Sequence, residues 1–162
     1  MAKPKVLITG ASGLIGGLVI EGLSEKYDFS ALNRSKIEGI PLRQADISNI
    51  DEILPAFEGI DTVLHLSAFL ADVNDWENTN QVNIKGTYNV FEAARKHGVS
   101  RVVFASSGST MLGYELDYPY GHIARGEHEK LPDDWELVDY KDPVRPDSLY
   151  GCLLYTSDAA DE

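Results

Sequence analysis

Lys5-Val6-Leu7-Ile8-Thr9-Gly10-Ala11-Ser12-Gly13-Leu14-Ile15-Gly16 is the stretch that decides the fold. Lys5 to Ile8 reads as a short apolar strand. From Leu14 onward, Ile15, Leu18, Val19 and Leu23 recur at helical spacing. Between strand and helix stand glycines at 10, 13 and 16, where a dinucleotide-binding loop must lie. Gly10 permits the tight turn and Gly13 lets backbone approach a pyrophosphate. Gly16 lets the helix pack closely on the sheet. The start of the helix offers free N–H groups and partial positive charge to phosphate oxygens.

Working outward, apolar runs of strand length alternate with helical segments. Asp28–Leu32 is a second strand and 40–45 a weaker third. Ile50 to Phe57 is a short helix capped by Ser48 or Asn49, and Thr62–Leu66 is a fourth strand. Asn83 to His97 is a helix closed by Gly98, and Arg101–Ala105 a fifth strand. Nearly continuous apolar strands alternating with helices predict an α/β fold, a Rossmann-type doubly wound parallel sheet of about five strands. The period then stops. Gly108 to Pro146 mixes tyrosines, prolines and charges without regular spacing, as functional or unstructured segments do. Pro146-Asp147-Ser148 reads as the start of a further helix.

The 162 residues carry 14 basic and 26 acidic side chains, a net charge of −12, which argues against a nucleic-acid partner. No apolar run is long enough to span a membrane, and the N-terminus lacks the pattern of a secretory signal. Cys152 is the only cysteine, so no disulfide or thiolate metal site is expected. A reducing, cytoplasmic compartment is the expectation. His122 and His128 lie among Glu127 and Glu129, but their spacing is not that of a helical ligand pair, and a solvated loop is the better account.

The G-x-x-G-x-x-G spacing resembles the extended branch of the short-chain dehydrogenase/reductase superfamily, the NAD(P)-dependent epimerases, dehydratases and reductases. Further matches follow in order over roughly residues 3 to 151: Ala45-Asp46-Ile47, His65-Leu66-Ser67-Ala68, Asn83-x-x-Gly86-Thr87, Phe104-Ala105-Ser106-Ser107 and Tyr150-Gly151. The resemblance implies a cofactor site formed by Gly10, Ser12, Gly13, Leu14, Ile15 and Gly16. Asp46 and Ile47 would flank the adenine, and Leu66, Ser67 and Ala68 would line the path toward the nicotinamide. A turn is the alternative role for Asp46. His65 is read as a satisfied core histidine.

Cofactor choice falls to the end of the second strand. A carboxylate there would bind a ribose 2′-hydroxyl and repel a 2′-phosphate. This chain has Asn33-Arg34-Ser35, with no charge at 33 and a guanidinium beside it. NADP is therefore favoured over NAD, with Arg34 as a solvated loop residue the alternative.

The resemblance also implies a proton relay. Tyr150 matches the tyrosine that exchanges a proton with a substrate oxygen, and Ser107 the hydroxyl donor, with Ser106 and Ser109 as alternatives. Asn83 matches the asparagine that organises relay water, an N-cap being its alternative role. A lysine is expected four residues beyond the tyrosine, yet position 154 holds Leu154.

From Cys152 the chain reads CLLYTSDAADE. That string is similar to the in-frame translation of an adapter end left by transposon-based sequencing libraries. The expectation is a Rossmann fragment over 1–151 followed by a non-native tail, 152–162. Without the catalytic lysine and the small substrate lobe of extended members, such a fragment is expected to be inactive. Its parent would be an oxidoreductase, epimerase or dehydratase taking a small-molecule substrate, a sugar nucleotide, sugar acid or similar hydroxy compound. The resemblance admits a homodimeric parent. Tyr114, Tyr118, Tyr120 and Trp135 could face a sugar, with packing against the missing lobe the simpler role for most. The competing reading is a non-catalytic dinucleotide-binding sensor or interaction module.

Overall fold

The computed structural model describes residues 2–70 and 75–158. The last four tail residues, 159–162, lie outside the described residues. The chain divides into two compact units, Met1–Ala105 and Ser106–Glu162.

The first unit is a five-stranded parallel sheet in the order β3-β2-β1-β4-β5. Its strands are β1 (Lys5–Thr9), β2 (Asp28–Asn33), β3 (Leu42–Gln44), β4 (Thr62–His65) and β5 (Arg101–Phe104). Helix α1 (Leu14–Leu23) joins β1 to β2, and α2 (Ile50–Ile53) with a 3-10 turn over Leu54–Phe57 joins β3 to β4. Between β4 and β5 run α3 (Trp76–Thr79), a π-helical stretch (Asn80–Gly86) and α4 (Thr87–Lys96).

Side chains of successive strand residues point to opposite faces, and the core divides accordingly. Leu7, Leu32 and Val63 pack with Ile53, Phe57, Val90 and Ala93 on one face. Val6, Ile8, Phe29 and Ala31 pack with Val19, Ile20 and Leu23 of α1 on the other. Both faces are thus wound, the architecture expected from the sequence. Not all of α1 is covered, since Leu14, Ile15 and Leu18 are exposed, as is Val103 of β5.

Several boundaries differ from the sequence reading. The weak third strand shrinks to Leu42–Gln44, where exposed Arg43 and Gln44 bring no apolar pairing surface. The long helical run starts at Trp76 rather than Asn83. Asp75 caps it, its carboxylate accepting the Asn78 backbone N–H at 3.0 Å. Asn83 is therefore no N-cap: it sits inside the π-helical stretch. Asn49 precedes α2 without a side-chain cap bond.

In the second unit, the segment expected to lack regular structure contains short helical turns, over Gly108–Thr110, Leu112–Leu116 and His128–Lys130, and helix α5 (Tyr120–Ala124). The Tyr114 and Tyr120 rings meet edge to face, with centroids 5.9 Å apart. Their hydroxyls donate to the Pro143 and Glu136 carbonyls at 2.9 and 2.8 Å. These two tyrosines staple the following loop, a role that neither of the two expectations named. Helix α6 (Leu149–Asp158) follows Ser148, whose hydroxyl accepts the Gly151 N–H at 3.2 Å, and runs without a break through Gly151-Cys152.

Candidate functional site

Gly10 ends β1 with φ at +72°, a left-handed conformation that side chains rarely adopt. A Cβ at Gly10 would also stand 2.9 Å from the Leu66 carbonyl carbon and the Ser67 nitrogen. The glycine loop and the segment after β4 therefore touch backbone to backbone. Gly16 is buried on α1 against Ala11, whose Cα would lie 2.7 Å from an added Cβ. These contacts open a cleft of about 320 Å³ at the carboxyl ends of β1, β2 and β4. Strand order reverses there between β1 and β4, the usual ligand position in such sheets.

Most of the predicted cofactor residues converge on this cleft: Gly10, Ser12, Gly13, Asn33, Arg34, Ser35, Asp46, Ile47, Leu66, Ser67 and Ala68 line it. Leu14, Ile15 and Gly16 are not among its lining residues; Leu14 and Ile15 are exposed on the first turn of α1. Leu32, Ala45, Leu70 and Val82 add apolar wall that the sequence motifs did not single out. Val82 was out of reach because its helix was read as starting one residue later.

Asn33 is buried and ties two cleft segments together. Its amide donates to Ser12 Oγ at 3.1 Å and to the Ser35 carbonyl at 2.9 Å. Arg34 and Ser35 beside it are exposed, and among the described residues no carboxylate forms an ion pair with Arg34. Asp46 lines the cleft, and its Oδ1 accepts the Ser48 N–H at 2.8 Å, the turn role expected as its alternative. Asn83 spends both ends of its amide on Phe69, accepting its N–H at 2.7 Å and donating to its carbonyl at 3.0 Å. It thereby anchors the chain that leaves Leu66–Ala68.

His65 is wholly buried, and burial pushes its pKa down to about 4. Nδ1 lies 2.6 Å from Thr9 Oγ1 and Nε2 lies 3.1 Å from Thr87 Oγ1, so the ring is satisfied as expected.

In the second unit, Ser107 and Tyr150 come together. The Ser107 hydroxyl caps the turn Gly108–Thr110, accepting the Ser109 N–H at 3.2 Å. Burial pushes the Tyr150 phenol pKa up, and the neighbouring Ser107 hydroxyl offsets part of that rise. Gly151 makes the approach possible, because a Cβ there would collide with the Ser109 carbonyl oxygen. Ser109 also accepts a bond from Ser107 at 3.2 Å, so the alternative hydroxyl stands one step further along. Leu154 is buried on the same helix.

The His122 region holds an ion network. Glu127 receives His122, Arg125 and Lys130 at 2.7, 3.1 and 3.0 Å, and His122 foremost lowers its pKa to about 2. Among the described residues, no group of three or more His, Cys, Asp or Glu could hold a metal ion, and no helix is long and apolar enough to cross a membrane.

The chain and its fold are similar to those of known proteins. The NAD dependent epimerase/dehydratase family model matches residues 6–152. The chain is 35% identical over 147 residues to the L-arabinose 1-dehydrogenase (NAD(P)(+)) of Haloferax volcanii, covering 91% of this chain and 56% of that one. Uronate dehydrogenase from Agrobacterium tumefaciens superposes with a TM-score of 0.78 at 30% identity, over 99% of this chain and 55% of that one. A tyrosine-to-alanine mutant of that enzyme, complexed with NAD, superposes equally well at 29% identity, over 98% of this chain and 55% of its own. The chain spans about half the length of the relatives it matches.

Proposed function

The chain belongs to the NAD-dependent epimerase/dehydratase family, and from that premise we propose that it is the dinucleotide-binding part of an oxidoreductase or epimerase for a sugar, sugar acid or sugar nucleotide. The observation that carries the reading is the pairing of a buried phenol, Tyr150, with Ser107 in a chain that also builds a glycine loop beside a cleft at the strand ends. What supports a dinucleotide in this cleft is that Gly10 leaves no Cβ in the loop and that Asn33 ties the loop to the end of β2 through Ser12.

Bound there, the nicotinamide would accept or return a hydride at the substrate carbinol carbon. The protein's part is the proton. Tyr150 would take it from the substrate hydroxyl, and Ser107 would hold that oxygen by hydrogen bond. A phenol raised by burial alone is a poor base near neutral pH, since acid–base assistance works best with a pKa near working pH. Leu154 stands where a lysine would lower it. We therefore read this chain as inactive in turnover while able to bind cofactor, and the segment 152–162 as foreign to the natural protein.

NADP is the favoured cofactor, because Asn33 brings no charge to repel a 2′-phosphate and Arg34 is exposed and, among the described residues, pairs with no carboxylate. The missing lysine supports a second reading, a binding module without catalysis. Calorimetric titration of this chain with NADP and NAD, followed by turnover assays on aldoses and uronic acids with a full-length form, tests both. Absence of dinucleotide binding would sink the first reading. Binding with no turnover in the full-length form would favour the second.

A further inference from the structure

We infer that His65 is a positioning residue for the dinucleotide, acting as the neutral Nε2–H tautomer that aims the Thr9 hydroxyl at the wall of the cleft. The inference rests on reading the cleft as a dinucleotide site. Thr9 Oγ1 accepts two backbone N–H groups, those of Leu66 and Ser67, each at 3.2 Å. A hydroxyl has two lone pairs and one hydrogen. With both lone pairs engaged, its hydrogen must go to His65 Nδ1, 2.6 Å away. Nδ1 is then an acceptor, so the ring proton sits on Nε2 and is donated to Thr87 Oγ1 at 3.1 Å. Phe104 stacks on the imidazole at 5.4 Å and fixes the ring plane.

The outcome is a buried chain of bonds from the first residue of α4 to the cleft wall. Leu66 has a second partner in the Thr9 carbonyl at 3.2 Å, but the Ser67 N–H depends on the hydroxyl. The Ser67 nitrogen also lies beside Gly10, where an added Cβ would stand 2.9 Å from it. Freed from Thr9, this peptide is left to shift toward the cleft that the cofactor needs. Thr9 and His65 lie at the ends of the paired strands β1 and β4, directly opposite in register. The geometry is therefore held by the sheet rather than by a loop.

Two substitutions separate aiming from packing. His65→Leu fills the core but has no acceptor, whereas His65→Asn keeps a carbonyl oxygen near the Nδ1 position. We expect the Ser67 amide to exchange with solvent about tenfold faster in His65→Leu, and NADP and NAD to bind about tenfold more weakly, as loss of one buried hydrogen bond implies. His65→Asn should recover most of both. Imidazole nitrogen-15 spectra of the wild-type chain should show a bare Nδ1 and a protonated Nε2. Should His65→Leu not fold, Thr9→Val must give the same rise in Ser67 exchange. A protonated Nδ1, unchanged Ser67 exchange, or an Asn variant as impaired as the Leu variant would overturn the inference. If the wild-type chain binds neither dinucleotide, the cleft reading fails. The tautomer and the Ser67 exchange, both measured without cofactor, still decide whether His65 aims this wall.

Discussion

Tyr150 and Leu154 stand four residues apart on α6 and are both buried, at 9% and 6% exposure. That spacing puts two side chains on one helical face. A cation introduced at 154 would therefore act on the phenol at short range. Leu154→Lys should lower the Tyr150 pKa, since a neighbouring positive charge favours the phenolate. Ultraviolet titration of the variant, taken as a difference from its Tyr150→Phe counterpart, checks this. An unmoved phenol would mean that the lysine turns to solvent.

Gly151→Ala tests the other side of the same pair. The added methyl meets the Ser109 carbonyl oxygen, and overpacking of this kind costs about 1–3 kcal/mol. Separation of α6 from the Ser107 turn also moves the phenol away from the hydroxyl that offsets its raised pKa. The Tyr150 pKa should rise further. A destabilised variant with an unchanged phenol would show that the helix shifts without losing Ser107.

Cofactor preference is tested at Arg34. Arg34→Ala should weaken NADP more than NAD by roughly 1.5–3 kcal/mol, the scale of one charge-assisted hydrogen bond. Calorimetry with both dinucleotides gives the difference directly. Equal losses, or a wild-type preference for NAD, would refute the NADP assignment.

The buried imidazole makes stability depend on acid. Burial holds His65 at about 4, below its ordinary 6.5. Between these values the unfolded chain binds a proton that the folded chain refuses. The stabilisation is complete above 6.5 and is lost as pH falls toward 4, amounting to about 3 kcal/mol across that window. Urea melts at several pH values should show the slope, and His65→Asn should flatten it. Parallel slopes in both proteins would assign the acid loss to carboxylates instead.

Apolar surface predicts the behaviour of the isolated chain. Leu14 is 81% exposed and Leu18 59%, and β5 forms one edge of the sheet. Open edges and apolar patches favour association. Light scattering should reveal self-association, and a hydrophobic dye should bind before unfolding. A monomer that melts sharply without dye binding would show the unit to be self-sufficient.

The strands were legible because β1, β2, β4 and β5 are apolar runs with few competing patterns. The glycine loop was legible because its spacing fell between a strand and a helix. What escaped was structure set by distant contacts. Trp76 to Thr79 is mostly polar and shows no apolar period, and the π-helical stretch breaks the 3.6-residue spacing that a helix reading needs. Tyr114 and Tyr120 gained their roles from the Pro143 and Glu136 carbonyls, partners that no local pattern announces. The meeting of Ser107 with Tyr150 spans a long separation in sequence, and only family resemblance suggested it. Asn83 was singled out by motif, but its bonds to Phe69 follow from tertiary placement.

Strand order also sets a schedule for synthesis. β1 is flanked by β2 on one side and by β4 on the other, and Thr9 meets Leu66 across 57 residues. A growing polypeptide can close β1 against β2 early, yet the second edge of β1 stays bare until β4 has left the ribosome. The cleft gains its last wall residue, Val82, only later still. A nascent chain therefore passes through a period with its central strand half paired and no ligand able to protect it. Chaperone demand should be greatest in that interval, before any cofactor can help.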